Sequence, residues 1–342
     1  HILRQKEQPW VFTPDVFFEN TEALRAEVAG LLNTKPENMA IIPSVGYGIT
    51  TAANILKTRV KPGKILILDE QFPSNVYPWR ELEADGFIVD TLKRDLGRDL
   101  CDQILERVDA QTSIVAVPNV HWSDGHYLDL VRLSGELKSD GIPLLVDAVQ
   151  STGILPTDLD QMKPDFLVTG FYKWMLGPYG LGCMYVDEKY FDGEPIEQAW
   201  MNREGSEKLH LLTNYTDEIK KTAERFDQGG KSFVNIVLAA ESARLLRQWG
   251  TQAMSDHARE ITGFVGRELE ASGYGVLDET VRCPHILGVL PRKGPWPEDI
   301  GAQLFEREVV VAQRGERLRI SPNAYNTIAE AQKLVSTLME LT

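Results

Sequence analysis

Two neighbouring stretches, LLVDAVQSTG (residues 144–153) and PDFLVTGFYKWMLGPYGLGCMYV (residues 164–186), decide the fold. The first begins with consecutive apolar residues, as in a strand buried on both faces, and ends on an ionisable group, Asp147. A carboxylate there is costly to desolvate unless a cationic partner meets it. In the second stretch Lys173 follows another apolar run and precedes Gly177, Pro178, Gly180 and Gly182, a glycine-dense turn that allows close backbone approach. A strand-end lysine near a strand-end carboxylate fits a carbonyl cofactor. The amine would form a Schiff base, and the acid would keep a pyridinium nitrogen protonated. An Asp–Lys ion pair at a sheet edge fits the same spacing.

Working outward, short β-branched runs at residues 39–45, 64–69, 87–92, 113–117, 143–147, 166–168 and 182–186 alternate with helical periodicity at 21–32, 48–56, 75–84, 99–108 and 130–138. This alternation predicts an α/β fold, a mostly parallel central sheet with helices on both faces. In such sheets ligands gather outside the carboxyl ends of the strands, where Asp147 and Lys173 fall. From residue 233 the pattern turns to long helices, FVNIVLAAESARLLRQW and MSDHAREITGFVGRELEA, then a short strand near 285–290 and a closing helix over 328–341. We therefore expect a large domain over 1–250 and a smaller C-terminal α+β domain over 251–342. Residues 202–224 are polar and form a surface excursion.

The chain has 342 residues, 43% of them hydrophobic, enough to bury a substantial core without disulfides. Its formal charge of −14 argues against nucleic acid and against an anionic membrane surface as partners. Cys101, Cys183 and Cys283 are odd in number and widely spaced, which yields neither a disulfide framework nor a zinc knuckle. No metal site is expected. No apolar run is long enough to span a bilayer, and HILRQKEQPW at the start has no apolar signal core. A cytoplasmic setting is the expectation.

The ordered pattern Asp147-x-x-Gln150, Pro156-x-Asp158-Leu159, Pro164-Asp165-Phe166, then Lys173 ahead of Gly177-Pro178 and Gly180, resembles the fold-type-I pyridoxal-phosphate enzymes. Within them it resembles the aminotransferase class V group: cysteine desulfurases, selenocysteine lyases, isopenicillin N epimerase-like proteins and, more distantly, kynureninases. The resemblance covers most of the chain. It implies pyridoxal 5'-phosphate held by Lys173, with Asp147 on the pyridinium nitrogen and Gln150 on the phenolic oxygen. Lys173 and Asp147 are thus the catalytic candidates.

Residues 43–50, PSVGYGIT, follow a strand and open a helix, so free N–H groups and the positive helix end offer a phosphate seat. The resemblance assigns it to Ser44, Val45 and Gly46. It implies a phosphate contact for Tyr172 and places Phe72 over the cofactor ring. Asn119 would contact the phenolic oxygen or the substrate, and Arg319 would clamp the substrate α-carboxylate. His121 is either a substrate-side acid or a packed side chain. The segment 228–232 would reach the partner's phosphate across a homodimer. Gly170 stands where desulfurases have a hydroxyl, so phosphate would be held differently.

Desulfurases carry a nucleophilic cysteine ahead of the carboxylate-binding arginine, and residues 308–316, EVVVAQRGE, contain none. The resemblance therefore leads to a lyase of C–S type on a small α-amino acid that works without a persulfide cysteine. An aminotransferase or epimerase on the same scaffold, a kynureninase-like hydrolase and a non-catalytic relative are the alternatives.

Overall fold

The computed structural model describes residues 7, 8, 10 and 13–342, apart from the side chains of residues 14, 15 and 17. Most of the amino-terminal segment considered above lies outside them. In chain order the main elements are α1 (Pro14–Leu31), β1 (Met39–Ile42), α2 (Val45–Leu56), β2 (Lys64–Leu68), α3 (Tyr77–Glu81), β3 (Ile88–Leu92), α4 (Leu100–Arg107), β4 (Thr112–Pro118), α5 (Leu130–Ser139), β5 (Leu144–Asp147), α6 (Leu159–Met162), β6 (Phe166–Gly170) and β7 (Gly182–Val186). There follow α7 (Phe233–Trp249), α8 (Thr251–Ala271), β8 (Gly275–Val276), β9 (Leu287–Leu290), α9 (Ile300–Glu306), β10 (Ala312–Arg314), β11 (Arg317–Ile320) and α10 (Ile328–Leu341).

The first seven strands form one sheet in the order β1-β7-β6-β5-β4-β2-β3. Pairs from β3 to β6 are parallel, whereas β7 runs antiparallel to both β6 and β1. Successive strand residues feed opposite layers: Leu144 and Val146 enter the core on one face, Leu145 the core on the other. The same alternation holds for Met39 and Ile41 against Ala40 and Ile42. This two-sided burial is why the strands read as continuous apolar runs. Side-chain caps start the helices: Ser44 accepts from Tyr47 N–H, Asp99 from Asp102 and Asp129 from Arg132.

Several boundaries differ from the periodicity. The strand expected over 39–45 stops at Ile42, because Pro43 has no ladder donor and Ser44 already caps α2, which starts at Val45 rather than 48. The helix expected over 75–84 is broken into a 3-10 turn at Pro73–Asn75, α3, and a second 3-10 turn at Leu82–Asp85 ending at Gly86 with φ +88°. Helix α1 begins at Pro14, where proline suits a first turn, well before residue 21. The polar excursion is pinned at its base, where buried Asn202 donates to the carbonyls of Arg225 (3.0 Å) and Asp227 (2.9 Å). Beyond Gly250, which ends α7 with φ +80°, β8–β11 make a second, antiparallel sheet in the order β10-β11-β9-β8. Its core is built from α8, α9 and α10 residues such as Val265, Leu304 and Leu338.

One buried ion cluster ties α1 to β1. The Asp227 carboxylate accepts from Arg25 Nη2 (2.8 Å), Lys231 Nζ (2.7 Å) and the Ile41 amide (2.7 Å). Burial pushes its pKa up, but Arg25 and Lys231 outweigh this and hold it at about 2. Asp227→Ala strands a buried guanidinium and should lower stability by about 3–5 kcal/mol in urea unfolding. Since folding depresses this carboxyl from 3.8 to about 2, its contribution should be intact above pH 3.8 and fade as the pH falls towards 2.

Candidate active site

The carboxyl ends of β2, β4, β5 and β6 converge on a cleft lined by Val45, Phe72, Trp122, Asp147, Gln150, Tyr172 and Lys173, with Gln71, Asn75 and Val120 beside them. Because β7 returns antiparallel, the β6–β7 connection is a short turn instead of a crossover, and Lys173 sits in it. The Gly177 amide donates back to Phe171 O (2.7 Å) and Leu176 N to Lys173 O (3.0 Å), with Leu176 left-handed at φ +56°. Gly153, at φ +98°, lies under this turn, where a Cβ would come within 2.4 Å of the Trp174 carbonyl. Only glycine satisfies both the dihedral and the contact.

Lys173 makes no ion pair within 4 Å among the described residues; its Nζ lies 5.5 Å from the Phe72 ring centroid and 5.8 Å from that of Tyr172. Burial pushes its pKa down, Asp147 pulls it up, and Arg319 and Arg314 push it down further, to about 8. Asp147 is buried, accepts the Val149 amide at 3.0 Å, and is pushed up by desolvation against the opposing pull of that amide and of Lys173.

Gln150 is held on one side only. Its Oε1 accepts from Trp174 Nε1 (3.2 Å) and its carbonyl from His285 Nε2 (2.5 Å), while its Nε2 is buried with no partner. His285 stacks edge-on against Trp174 at 4.7 Å, and burial keeps it neutral by lowering its pKa to about 3. A second orphaned donor, Asn75 Nδ2, also lines the cleft; its Oδ1 is taken by Trp79 Nε1 at 2.8 Å. Buried amides left unpaired are rare, and each calls for a partner such as an ordered water or a ligand.

At the α2 end, Ser44 Oγ is engaged as a cap (3.2 Å to Tyr47 N), and the first-turn amides of Val45 and Gly46 have no acceptor within the helix. The Tyr172 ring explains the missing hydroxyl at position 170: a Cβ on Gly170 would lie 2.5 Å from Tyr172 Cε1. Tyr172 stacks on exposed Tyr179 at 4.6 Å. Phe72 is 40% exposed and meets Trp122 edge-on at 5.7 Å.

Two expected residues have their side chains engaged within the fold. Asn119 lies between Pro118 and Val120 of the cleft wall; its Nδ2 donates to Leu128 O (2.9 Å) and its backbone amide to Asp147 O (3.2 Å), closing the 119–128 loop onto β5. His121 is fully buried, its Nε2 3.3 Å from Asp69 O and its Nδ1 3.0 Å from Ser123 Oγ and 3.4 Å from Asp124. This geometry corrects the substrate-acid expectation, because neither ring nitrogen is free to face the cleft. Arg319, from β11, reaches the site by donating from Nη1 to Trp122 O at 2.9 Å. Asn75, Trp122, Trp174 and His285 were not foreseen. Trp174 sits beside the lysine in sequence, but nothing local in the sequence marks His285 as its partner.

The donors and charges fit pyridoxal 5'-phosphate: a depressed lysine, a buried carboxylate for a pyridinium, an unpaired amide for a phenolic oxygen, and a helix N-terminus for a phosphate. The aminotransferase class-V family model matches residues 15–334. The chain is 26% identical to the uncharacterized aminotransferase YcbU of Bacillus subtilis, over 94% of this chain and 83% of that one. It is 25% identical to isopenicillin N epimerase of Amycolatopsis lactamdurans, over 93% and 84%. Among solved structures, the cystine C–S lyase C-DES in complex with its product, cysteine persulfide, superposes with a TM-score of 0.83 at 17% identity, over 94% of this chain and 87% of that one. Fold and site thus define a pyridoxal-phosphate-dependent enzyme of fold type I. The chain belongs to the aminotransferase class-V family. When bound, the cofactor supplies the electron sink for charge developing at the substrate Cα.

In cofactor-free protein, trinitrophenylation of Lys173 should rise with a midpoint near pH 8, not 10.5, with Lys173→Ala as the control. Arg319→Gln should move that midpoint upward, since it removes a cation that opposes protonation.

Proposed function

We propose that this enzyme is a lyase that cleaves the C–S bond of a small α-amino acid without a nucleophilic thiol of its own. The carrying observation is the state of its cysteines. Residues 308–316 hold none, and Cys101, Cys183 and Cys283 are all buried. Burial pushes Cys101 up to about 11 and Cys183 and Cys283 up to about 12, so none is a thiolate near neutrality. The chemistry then falls to Lys173. Its amine, deprotonated in a large fraction near pH 8 in the free protein, would be the base that takes the proton from Cα. Arg319, half-buried and with Nε unpartnered, offers a planar fork to the α-carboxylate. The fold likeness to a protein named as a cystine C–S lyase supports the same reading. The proposal includes a homodimer, which the family resemblance supports and light scattering of the purified protein checks, and a cytoplasmic location, which fractionation of the source cells checks.

The test is turnover and near-visible absorption of the cofactor-loaded protein with cysteine, cystine and kynurenine. A sulfur-containing amino acid should shift the spectrum and release a sulfur product. Lys173→Ala should lose at least about a thousandfold in rate. Replacing all three cysteines by alanine should leave turnover within about threefold, whereas a loss above a hundredfold would restore a thiol mechanism. Accumulation of pyridoxamine phosphate with a keto acid product would make the enzyme an aminotransferase instead.

A further inference from the structure

The β10–β11 hairpin concentrates positive charge on one face. Its register pairs Ala312 with Arg319 and Arg314 with Arg317, so all three arginines share a face. Leu318 and Ile320 point the other way, into the core of the small sheet. The arginine face looks towards the cleft. Arg319 donates to the carbonyl of Trp122, and the Arg314 guanidinium lies 5.5 Å from the centroid of the Trp122 ring. Trp122 itself lines the cleft beside Lys173. Across from Arg319 on β9, Gly288 leaves the room: a Cβ there would lie 2.7 Å from Asp124 Cα and 3.1 Å from Arg317 Cδ.

These cations are uncompensated. Among the described residues none of the three has a carboxylate within ion-pairing distance, and the Nε of each is buried without a partner. Besides its contact with the Trp122 ring, Arg314 is held by an Nη1 bond to Gln313 O, its own neighbour, at 2.8 Å. Like charges directly opposite on adjacent strands are destabilising, and burial withdraws the water that would offset this. Two forks that meet at Trp122, on the wall of the cleft, call for two anionic groups, and an α-carboxylate supplies one.

We infer that Arg314 is a second anion-binding residue, and that the substrate is a sulfur-containing α-amino acid whose side chain carries its own anionic group, a sulfinate, a sulfonate or a carboxylate linked through the sulfur. Arg319 takes the α-carboxylate, and Arg314, braced on the Trp122 ring, takes the distal anion. This rests on the proposed function, because it needs an amino acid held at Lys173.

Calorimetric titration of the cofactor-loaded protein with unreactive succinate and glutarate, against butyrate, tests it without turnover. At least one dicarboxylate should bind about tenfold or more tighter than butyrate. In Arg314→Gln that ratio should fall to about one, and Arg314→Lys, which keeps the charge but not the fork, should retain part of it. Equal affinities in the wild type, or a preference that survives Arg314→Gln, overturn the assignment. A wild-type protein with no near-visible cofactor band overturns the proposed function together with it; a normal band with equal affinities overturns the role of Arg314 alone.

Discussion

Asp147 is a carboxylate placed where the sheet offers it almost no solvation, and much of the site is arranged around that cost. It has one backbone donor, the Val149 amide, and one cation near enough to lower its pKa, Lys173. Neither neutralises it fully, so burial still raises it. Such a group is poised to accept a cation into the cleft, and a protonated ring nitrogen would supply that charge. The same unpaid desolvation acts on Lys173 in reverse, lowering its pKa and making it a usable nucleophile and base. A single low-dielectric cleft at the strand ends thus sets both values in the directions the chemistry needs.

Holding these two groups apart, yet within electrostatic reach, depends on contacts far from either. The lysine turn is seated by Gly153 beneath Trp174, and Trp174 in turn orients Gln150. His285, from the segment leading into β9, closes that set by donating to the Gln150 carbonyl. On the opposite wall, buried Arg94 binds Asp69 (3.0 Å) and Asp124 (3.1 Å), joining the loop that carries Phe72 to the loop that carries Trp122. Gly125, at φ +84°, lies where a Cβ would be 2.3 Å from Ile286 O, and Gly288 N donates to Asp124 O at 3.2 Å. The loops of the large sheet are therefore braced by the approach to the small one, and the aim of the cofactor donors depends on how the two sheets pack.

The parallel layers, the strand-end location of the site and the turn around Lys173 were legible in the sequence for a physical reason. Strands buried on both faces, such as β4 and β5, must be apolar throughout, and a lone acid at their end stands out. The antiparallel pairing of β7 was not legible, because an apolar run carries no sign of its direction. Nor were β8, β10 and β11, which are short and half-exposed. His121 shows the limit for sites. It follows a central strand in a loop at the strand ends, as functional residues do, yet its Nε2 lies against the carbonyl of Asp69, a partner that only the folded chain brings to it. Arg319 could be picked from a motif, whereas the shared face of Arg314, Arg317 and Arg319 depends on a hairpin register with no local signature.

The arginine face also bears on when Lys173 acts. The chain as a whole is acidic, at −14, yet beside Asp147 the other charges that act on its reactive amine, Arg319 and Arg314, are positive. Before an anion arrives, Arg314 and Arg319 oppose protonation of Lys173 and favour the neutral amine that must bond to a carbonyl. In the proposed reaction an anionic substrate seated on those arginines would cancel part of their field, raising the proton affinity of Lys173 as it takes the proton from Cα. Both stages of the lysine's work are then served by one set of cations, with occupancy of the cleft as the switch between them. A neutral carboxylate-binding group at position 319 would supply the contact without this coupling, which is a physical reason for the site to use guanidinium groups that no carboxylate of the described chain compensates.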